Sequence, residues 1–148
     1  MPYYIKRQKH QKEKRQRSET AKLVDKLDRI FSLYIRLRDS REFQFKAFRC
    51  ISCGQIKPFE QMDCGHFFSR RHMATRFSEL NAHGECRHCN RFSADHLHGY
   101  EVNLRHLIGD NQFDILEATA HSTCKFHPFE LQTMIANYKE KIEKLKSE

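Results

Sequence analysis

The chain has 148 residues, of which 39% are hydrophobic and 31% are charged. This length suits one domain, and the composition contains too many apolar side chains for a disordered chain. No run approaches the ~18 apolar residues of a membrane helix, and no apolar segment follows the basic N-terminus as it would in a signal peptide. We therefore expect a cytoplasmic protein, in which thiols stay reduced.

Most of the formal net charge of +8 lies near the N-terminus. Residues 1–18 contain seven Lys and Arg and one acid, Glu13, and therefore carry +6. We predict a flexible basic arm over residues 1–18 and a single folded domain over residues 19–148, with its core at about residues 48–100. Such an arm favours contact with DNA or RNA phosphates, because binding releases counterions. The alternative is a tail that only keeps the protein in solution.

The first predicted element is a long amphipathic helix. Apolar residues recur at three- and four-residue spacing from Ala21 to Leu37. This periodicity predicts a helix over residues 19–38. Residues 42–49 alternate only in part, which favours a short extended run that enters a turn at Cys50.

The middle of the chain is aromatic and is interrupted by Pro58 and Gly65. This pattern is typical of a small β-hairpin with a loop, which we predict over residues 57–76. The polarity then rises, and we predict a helix of a few turns that begins near Cys89.

Three boundaries mark helices in the C-terminal part of the chain. One helix is predicted to end at Gly109, and the next to begin behind a cap at Asp110. The last is predicted to begin at Pro128, and its apolar face runs from Leu131 to Leu145. We expect the apolar stripes of the first and last helices to be buried against the core or against each other. A homodimer interface is the alternative.

Two Cys-x-x-Cys pairs are separated by 32 residues. The four cysteines are Cys50, Cys53, Cys86 and Cys89. This spacing predicts a tetrahedral zinc site, and four thiolate ligands would make that site closed and structural. The alternative is two chance pairs of buried cysteines. Cys64 and Cys124 lack a partner at ligand spacing, and we expect them to be ordinary thiols.

Polar residues suited to phosphodiester hydrolysis surround the second Cys-x-x-Cys pair. Asp63 and His66 lie between the pairs, Asn81 precedes the second pair, and Asn90 follows it directly. Hydrolysis needs a base that deprotonates water and a hard cation that holds phosphate oxygens. A histidine, a carboxylate and two amides could supply both. His96 is left outside this predicted site, because two residues that are six positions apart, such as Asn90 and His96, do not lie on the same face of a helix.

The order His66, Asn81, Cys86-x-x-Cys89-Asn90 resembles the HNH (ββα-metal) endonuclease family, including the nine-residue step between the two asparagines. More narrowly, the chain is similar to the NinG (Rap) family of lambdoid phage recombination nucleases over about residues 48–146. The motifs that carry this similarity are Cys50-Ile-Ser-Cys-Gly54, Asp63-x-Gly-His66, Arg76-Phe77-x-Glu79-x-Asn81, Cys86-x-x-Cys-Asn90 and the segment from Tyr100 to Gly109. The resemblance implies an α+β fold, mostly helical, in which a zinc-stapled ββα-metal (HNH) core is surrounded by N- and C-terminal helices.

The resemblance also implies a role for each matched residue. His66 would be the general base that activates water, and Asn81 would orient the His66 segment through hydrogen bonds. Asn90 would bind the catalytic divalent cation, Mg²⁺ or Mn²⁺. Many HNH enzymes carry a metal-binding acid directly before the base, where this chain has Gly65. Because residues two apart on a strand share a face, we predict Asp63 as the second ligand.

Arginines follow the predicted base. Arg70 and Arg71 are predicted to contact the DNA backbone, since a guanidinium can bind two phosphate oxygens. The alternative is an exposed basic loop with a salt bridge to Glu79, in which Arg76 is structural.

The expected function is a metal-dependent DNA endonuclease that acts in a bacterial host cell and is of phage or prophage origin. The reaction class follows from the residues. Its preference for branched recombination intermediates, such as Holliday junctions and D-loops, is implied only by the resemblance. Two alternatives stay open: a non-catalytic zinc-ribbon protein that binds nucleic acid, and an HNH nuclease that cuts linear duplex DNA.

Overall fold

The computed structural model describes residues 17–148, so most of the predicted basic arm lies outside the described residues. Residues 17–148 form five α-helices and two small antiparallel sheets. In chain order the elements are α1 (Glu19–Ser40), β1 (Ala47–Arg49), β2 (Ile56–Pro58), β3 (Met62–His66), β4 (Ala82–Cys86), α2 (Arg87–Phe92), α3 (His96–Ile108), α4 (Asp110–Ala120) and α5 (Pro128–Ser147). No helix within this described part is both long and apolar enough to cross a membrane.

The first helix confirms the predicted amphipathic segment. Ser18 caps α1, and its hydroxyl accepts a hydrogen bond from the N–H of Ala21 at 3.2 Å. The helix covers the predicted residues 19–38 and continues to Ser40. Its buried residues are Leu27, Phe31, Tyr34, Ile35 and Ser40.

The strands pair in a different way from the prediction. The hairpin expected within residues 57–76 is wrong, because the two strands in this region have partners elsewhere. The turn that begins at Cys50 connects β1 to β2, and these two strands pair with each other. β3 pairs with β4, with Met62 opposite Cys86. A long loop separates β3 from β4, and a local sequence pattern does not reveal a strand partner that far along the chain.

The helices after β4 begin and end close to the predicted residues. The helix expected near Cys89 begins at Arg87 and has six residues, so it is shorter than predicted. Helix α3 is followed by Gly109, as predicted, with φ of 83°, a conformation that glycine adopts without steric cost. The expectation that Asp110 caps α4 is wrong, because Asp110 is the first residue of the helix and Gly109 precedes it.

Three apolar clusters hold these elements together within the described residues. The largest joins α1 and α5. The apolar stripes of these two helices pack against each other, which was one of the two arrangements expected from the sequence. A second surrounds the cysteines, and a third lies between α3 and α4. The β3–β4 sheet contacts α1, and the hydroxyl of Tyr100 in α3 donates to the carbonyl of Gly65 at 2.7 Å. This sheet therefore lies between α1 and α3.

Candidate active site and metal centre

Four cysteines meet where β1, β4 and α2 come together. The sulfur atoms of Cys50, Cys53, Cys86 and Cys89 all lie within 4.8 Å of one another. A zinc ion about 2.3 Å from each sulfur fits within this separation. The four residues that the sequence grouped can therefore bind a metal such as zinc. Cys64 and Cys124 lie outside this group, and burial raises the pKa of the Cys64 thiol to about 12.

A polar cleft of about 370 Å³ opens between α1, β3 and α2. Four residues of the predicted site line it, namely Asp63, His66, Arg70 and Asn90. Asp28 of α1 and Arg91 of α2 also line it, although no sequence motif pointed to them. The fold thus brings into one cleft four of the six residues predicted for catalysis, cation binding and DNA contact.

His66 is the last residue of β3, and its imidazole is partly buried. Its Nε2 lies 2.8 Å from the backbone carbonyl oxygen of Arg76. A carbonyl oxygen can only accept, so Nε2 carries the proton and Nδ1 keeps its lone pair. Burial lowers the pKa of His66 below its usual 6.5, and the charge of Arg70 lowers it further, against the opposing effect of the Arg76 hydrogen bond. The ring is therefore neutral at pH 7 and able to accept a proton.

Asn81 is fully buried and lies outside the cleft. Its side-chain oxygen accepts from the N–H of Phe68 at 2.8 Å, and its amide donates to the carbonyls of Phe68 at 2.9 Å and Thr75 at 3.1 Å. Its own carbonyl accepts from the N–H of Phe67 at 2.9 Å. Asn81 therefore ties down the loop that follows His66, a position suited to the orienting role predicted for it.

Asp63 and Asn90 are in direct contact. The Nδ2 of Asn90 donates to Asp63 Oδ2 at 3.0 Å, which leaves the Asn90 side-chain oxygen as its ligand atom. Arg91 donates to both oxygens of Asp63, at 2.7 and 2.8 Å. A carboxylate and an amide oxygen together are a donor set that suits Mg²⁺ or Mn²⁺.

Asp28 holds two arginines of the loop after His66. Its carboxylate accepts two hydrogen bonds from Arg76, one of them at 3.0 Å, and Arg70 lies 3.8 Å away. Arg76 is thus held structurally, but by Asp28 and not by the expected salt bridge to Glu79. Arg70 is 62% exposed beside the cleft, whereas Arg71 is exposed and does not line it.

Glu85 is a further buried acid that sequence reasoning missed. It lies on β4 and is fully buried. Its Oε1 accepts from the hydroxyl of Ser52 at 2.5 Å and from His96 Nδ1 at 2.6 Å. His96, which the prediction left outside the site, therefore contacts the buried carboxylate of β4. Only the β3–β4 register, in which Glu85 is opposite Asp63, could have pointed to it.

One family model matches nearly the whole chain. It is described as "Bacteriophage Lambda NinG protein" and matches residues 4–148. The match extends beyond residues 48–146, where the motifs lie, and includes most of the basic N-terminal segment.

Curated phage proteins are similar to most of the chain. Protein ninG of Escherichia phage 933W is 28% identical over 125 residues, which covers 84% of this chain and 58% of that protein. Protein ninG of Enterobacteria phage VT2-Sa gives the same values. Protein ninG of Escherichia phage lambda is also 28% identical over 125 residues, with 57% of its length covered. The chain thus spans about 58% of the length of these relatives. No solved structure matches the chain.

Proposed function

Because the chain belongs to the bacteriophage lambda NinG family, we propose that it is a metal-dependent DNA endonuclease that hydrolyses phosphodiester bonds in the cleft beside His66. The observation that carries this proposal is the imidazole of His66, which lines a polar cleft and keeps Nδ1 unprotonated. In the proposed reaction Nδ1 takes a proton from water, and the oxygen of that water attacks the phosphorus. The P–O3′ bond breaks as the new bond forms, and the leaving O3′ takes a proton from solvent, which gives 5′-phosphate and 3′-hydroxyl ends. The Arg76 carbonyl holds the ring through Nε2 while it becomes charged.

Asp63 and Asn90 are the residues that would hold the divalent cation, Mg²⁺ or Mn²⁺. When bound, the cation would polarise a phosphate oxygen and stabilise the charge that develops on it. Arg91 pairs with both oxygens of Asp63, and its side chain is 52% exposed. In the proposed mechanism Arg91 turns from Asp63 toward a DNA phosphate, which leaves the carboxylate available to the cation.

Arg70 and Arg71 would supply the contact with the DNA backbone. Both are exposed on the loop that follows His66, and Arg70 lines the cleft. Phosphate contacts position a nucleic acid without reading its bases, which suits selection by shape. The proposed substrate is a branched recombination intermediate such as a Holliday junction or a D-loop. This part of the proposal is supported by the family resemblance alone.

The proposal is tested with labelled four-way junctions and Mg²⁺ or Mn²⁺. We expect His66→Ala to lower the cleavage rate by about 10²–10⁴-fold, because the general base is lost. The matched control is His106→Ala, which removes an exposed histidine of α3 and should cleave at the wild-type rate. Equal cleavage by the His66→Ala variant would remove His66 from the mechanism.

Two other functions give different results in the same assay. A non-catalytic zinc-ribbon protein would account equally well for the four-cysteine group. It would bind the junction and leave it intact with every divalent cation. A nuclease for linear DNA would cut a linear duplex of the same sequence as fast as the junction.

A further inference from the structure

Glu85 occupies the space in which a side chain at position 65 would lie. A Cβ atom placed on Gly65 would be 2.3 Å from Glu85 Oε2 and 2.8 Å from Glu85 Cβ. Both distances are too short for real atoms, so any larger residue at position 65 would displace Glu85. The Glu85 carboxylate therefore stands where the side chain directly before His66 would stand.

One oxygen of this carboxylate has no partner among the residues that the structure describes. Ser52 and His96 both contact Oε1. Oε2 is buried and makes no hydrogen bond with any of residues 17–148. Burying a charged oxygen without a partner is unfavourable, and such oxygens in native proteins are satisfied by protein, water or a cation. Oε2 is thus an acceptor that the described part of the chain does not satisfy.

The register of the sheet places this acceptor beside the proposed cation ligands. Asp63 and Glu85 are directly opposite each other on β3 and β4. Opposite residues share a face, with Cβ atoms about 4.5–5.5 Å apart. Asp63 also accepts from Asn90 of α2. Two carboxylates and one amide therefore lie on three neighbouring elements, β3, β4 and α2, and such an oxygen-rich set suits a hard divalent cation.

We propose that Glu85 is a further ligand of the divalent cation and binds it through Oε2, together with Asp63 and Asn90. The inference rests on the proposed function, because it concerns the cation of the same site. In this arrangement the carboxylate comes from Glu85 on β4, because position 65 on β3 is a glycine and has no side chain to bind the cation. Its contacts through Oε1 hold the carboxylate so that Oε2 keeps one direction.

Mn²⁺ binding to the zinc-loaded full chain, measured by electron paramagnetic resonance without DNA, tests the inference. Glu85→Gln keeps the shape of the side chain and removes its charge. We expect the Mn²⁺ dissociation constant to rise by about tenfold or more. Glu101→Gln is the matched control, because Glu101 lies on α3, pairs with Arg105 and does not line the cleft. Zinc content and melting temperature report whether each variant is folded.

A swap of the acid between the two strands gives a second test. Glu85→Gly combined with Gly65→Asp moves the carboxylate from β4 to β3 and removes the Cβ that would clash. This double variant should regain most of the Mn²⁺ affinity that Glu85→Gly alone loses. If Glu85→Gln loses zinc and is therefore misfolded, the double variant still tests whether an acid at this place binds Mn²⁺.

The outcomes separate this inference from the proposed function. Unchanged Mn²⁺ affinity in a folded Glu85→Gln variant, with affinity lost in Asp63→Asn, would overturn the role of Glu85 and leave the endonuclease proposal intact. A swap variant that is folded and binds no Mn²⁺ would overturn it as well. If the wild-type chain binds no Mn²⁺ and cuts no DNA, the proposed function itself fails.

Discussion

Asp28 is linked to His66 through Arg76, although Asp28 lies far from both residues in the sequence. The carboxylate of Asp28 binds the Arg76 guanidinium with two hydrogen bonds. The backbone carbonyl of the same arginine accepts from His66 Nε2. An ion pair anchored on α1 therefore fixes the group that orients the proposed base.

The pH dependence of cleavage should report this connection. Burial lowers the pKa of His66 below 6.5, so the imidazole becomes protonated only at a pH lower than that of an ordinary histidine. The cleavage rate should therefore fall only when the pH drops through this lowered pKa. The charge of Asp28 opposes the lowering. In Asp28→Asn we therefore expect the acid limb of the pH–rate profile to move to lower pH. The rate at pH 7 should fall between about tenfold and a hundredfold, because the Arg76 carbonyl loses its anchor.

A neighbouring acid of the same helix provides the control. Asp25 pairs with Arg17 at the surface of α1. Asp25→Asn should leave both the rate and the acid limb in place. An acid limb that moves to higher pH in Asp28→Asn would contradict the assigned connection.

At the level of elements, helices could be predicted and strand pairing could not. The periodicity of α1 and the proline at the start of α5 are local signals, and both helices lie where these signals put them. The partner of β3 is β4, beyond a long loop, so the local hairpin expected within residues 57–76 is wrong. Non-local pairing depends on which surfaces pack together, and a single sequence does not list those contacts.

The same limit applies to the candidate site. His66 and Asn90 belong to a motif with fixed spacing, and the cleft contains both. Asp28 and Glu85 belong to no such motif, because each meets its partner only after α1 and β4 have packed. The motifs therefore pointed to residues that line one cleft, whereas the groups that hold these residues emerged only from the fold.

We expect zinc binding by the four-cysteine group to hold β4 and α2 in place relative to each other. Cys86 ends β4, and α2 begins at the next residue. We expect Cys86→Ser to lose the single zinc ion predicted per chain, since three thiolates no longer close a tetrahedral site. Loss of the metal should also abolish DNA cleavage and lower the melting temperature. Elemental analysis and thermal unfolding monitored by circular dichroism measure these effects.

Cys124→Ser is the control for this experiment, because Cys124 lies outside the group. It should keep both zinc and stability. Full zinc content in the Cys86→Ser protein would show that the cysteines do not form the predicted site.

At the scale of the whole molecule, α1 and α5 enclose the loop that carries Asn81. The hydroxyl of Tyr138 on α5 donates to the carbonyl of Phe77 at 2.7 Å. Tyr34 on α1 donates to Glu79 at 2.8 Å, and Lys141 on α5 also pairs with Glu79. The helix pair therefore contributes both to the apolar core and to the position of the loop beside the site.

Removing a side chain from this helix pair should destabilise the whole fold. Ile135 of α5 is 6% exposed within the largest apolar cluster. We expect Ile135→Ala to lower the free energy of unfolding by about 2–5 kcal/mol. Ile115→Ala removes the same atoms from a side chain that is 59% exposed on α4, and it should cost no more than about 0.5 kcal/mol. Denaturant unfolding measures both, and equal effects would contradict the assigned core.

The close approach of Gly65 and Glu85 also constrains how the two positions can evolve. A Cβ at position 65 would be 2.8 Å from the Cβ of Glu85, so a larger residue there is tolerated only after position 85 has become small. We therefore expect the two positions to change as a pair. An acid can therefore move onto β3 only together with a change that makes room at position 85.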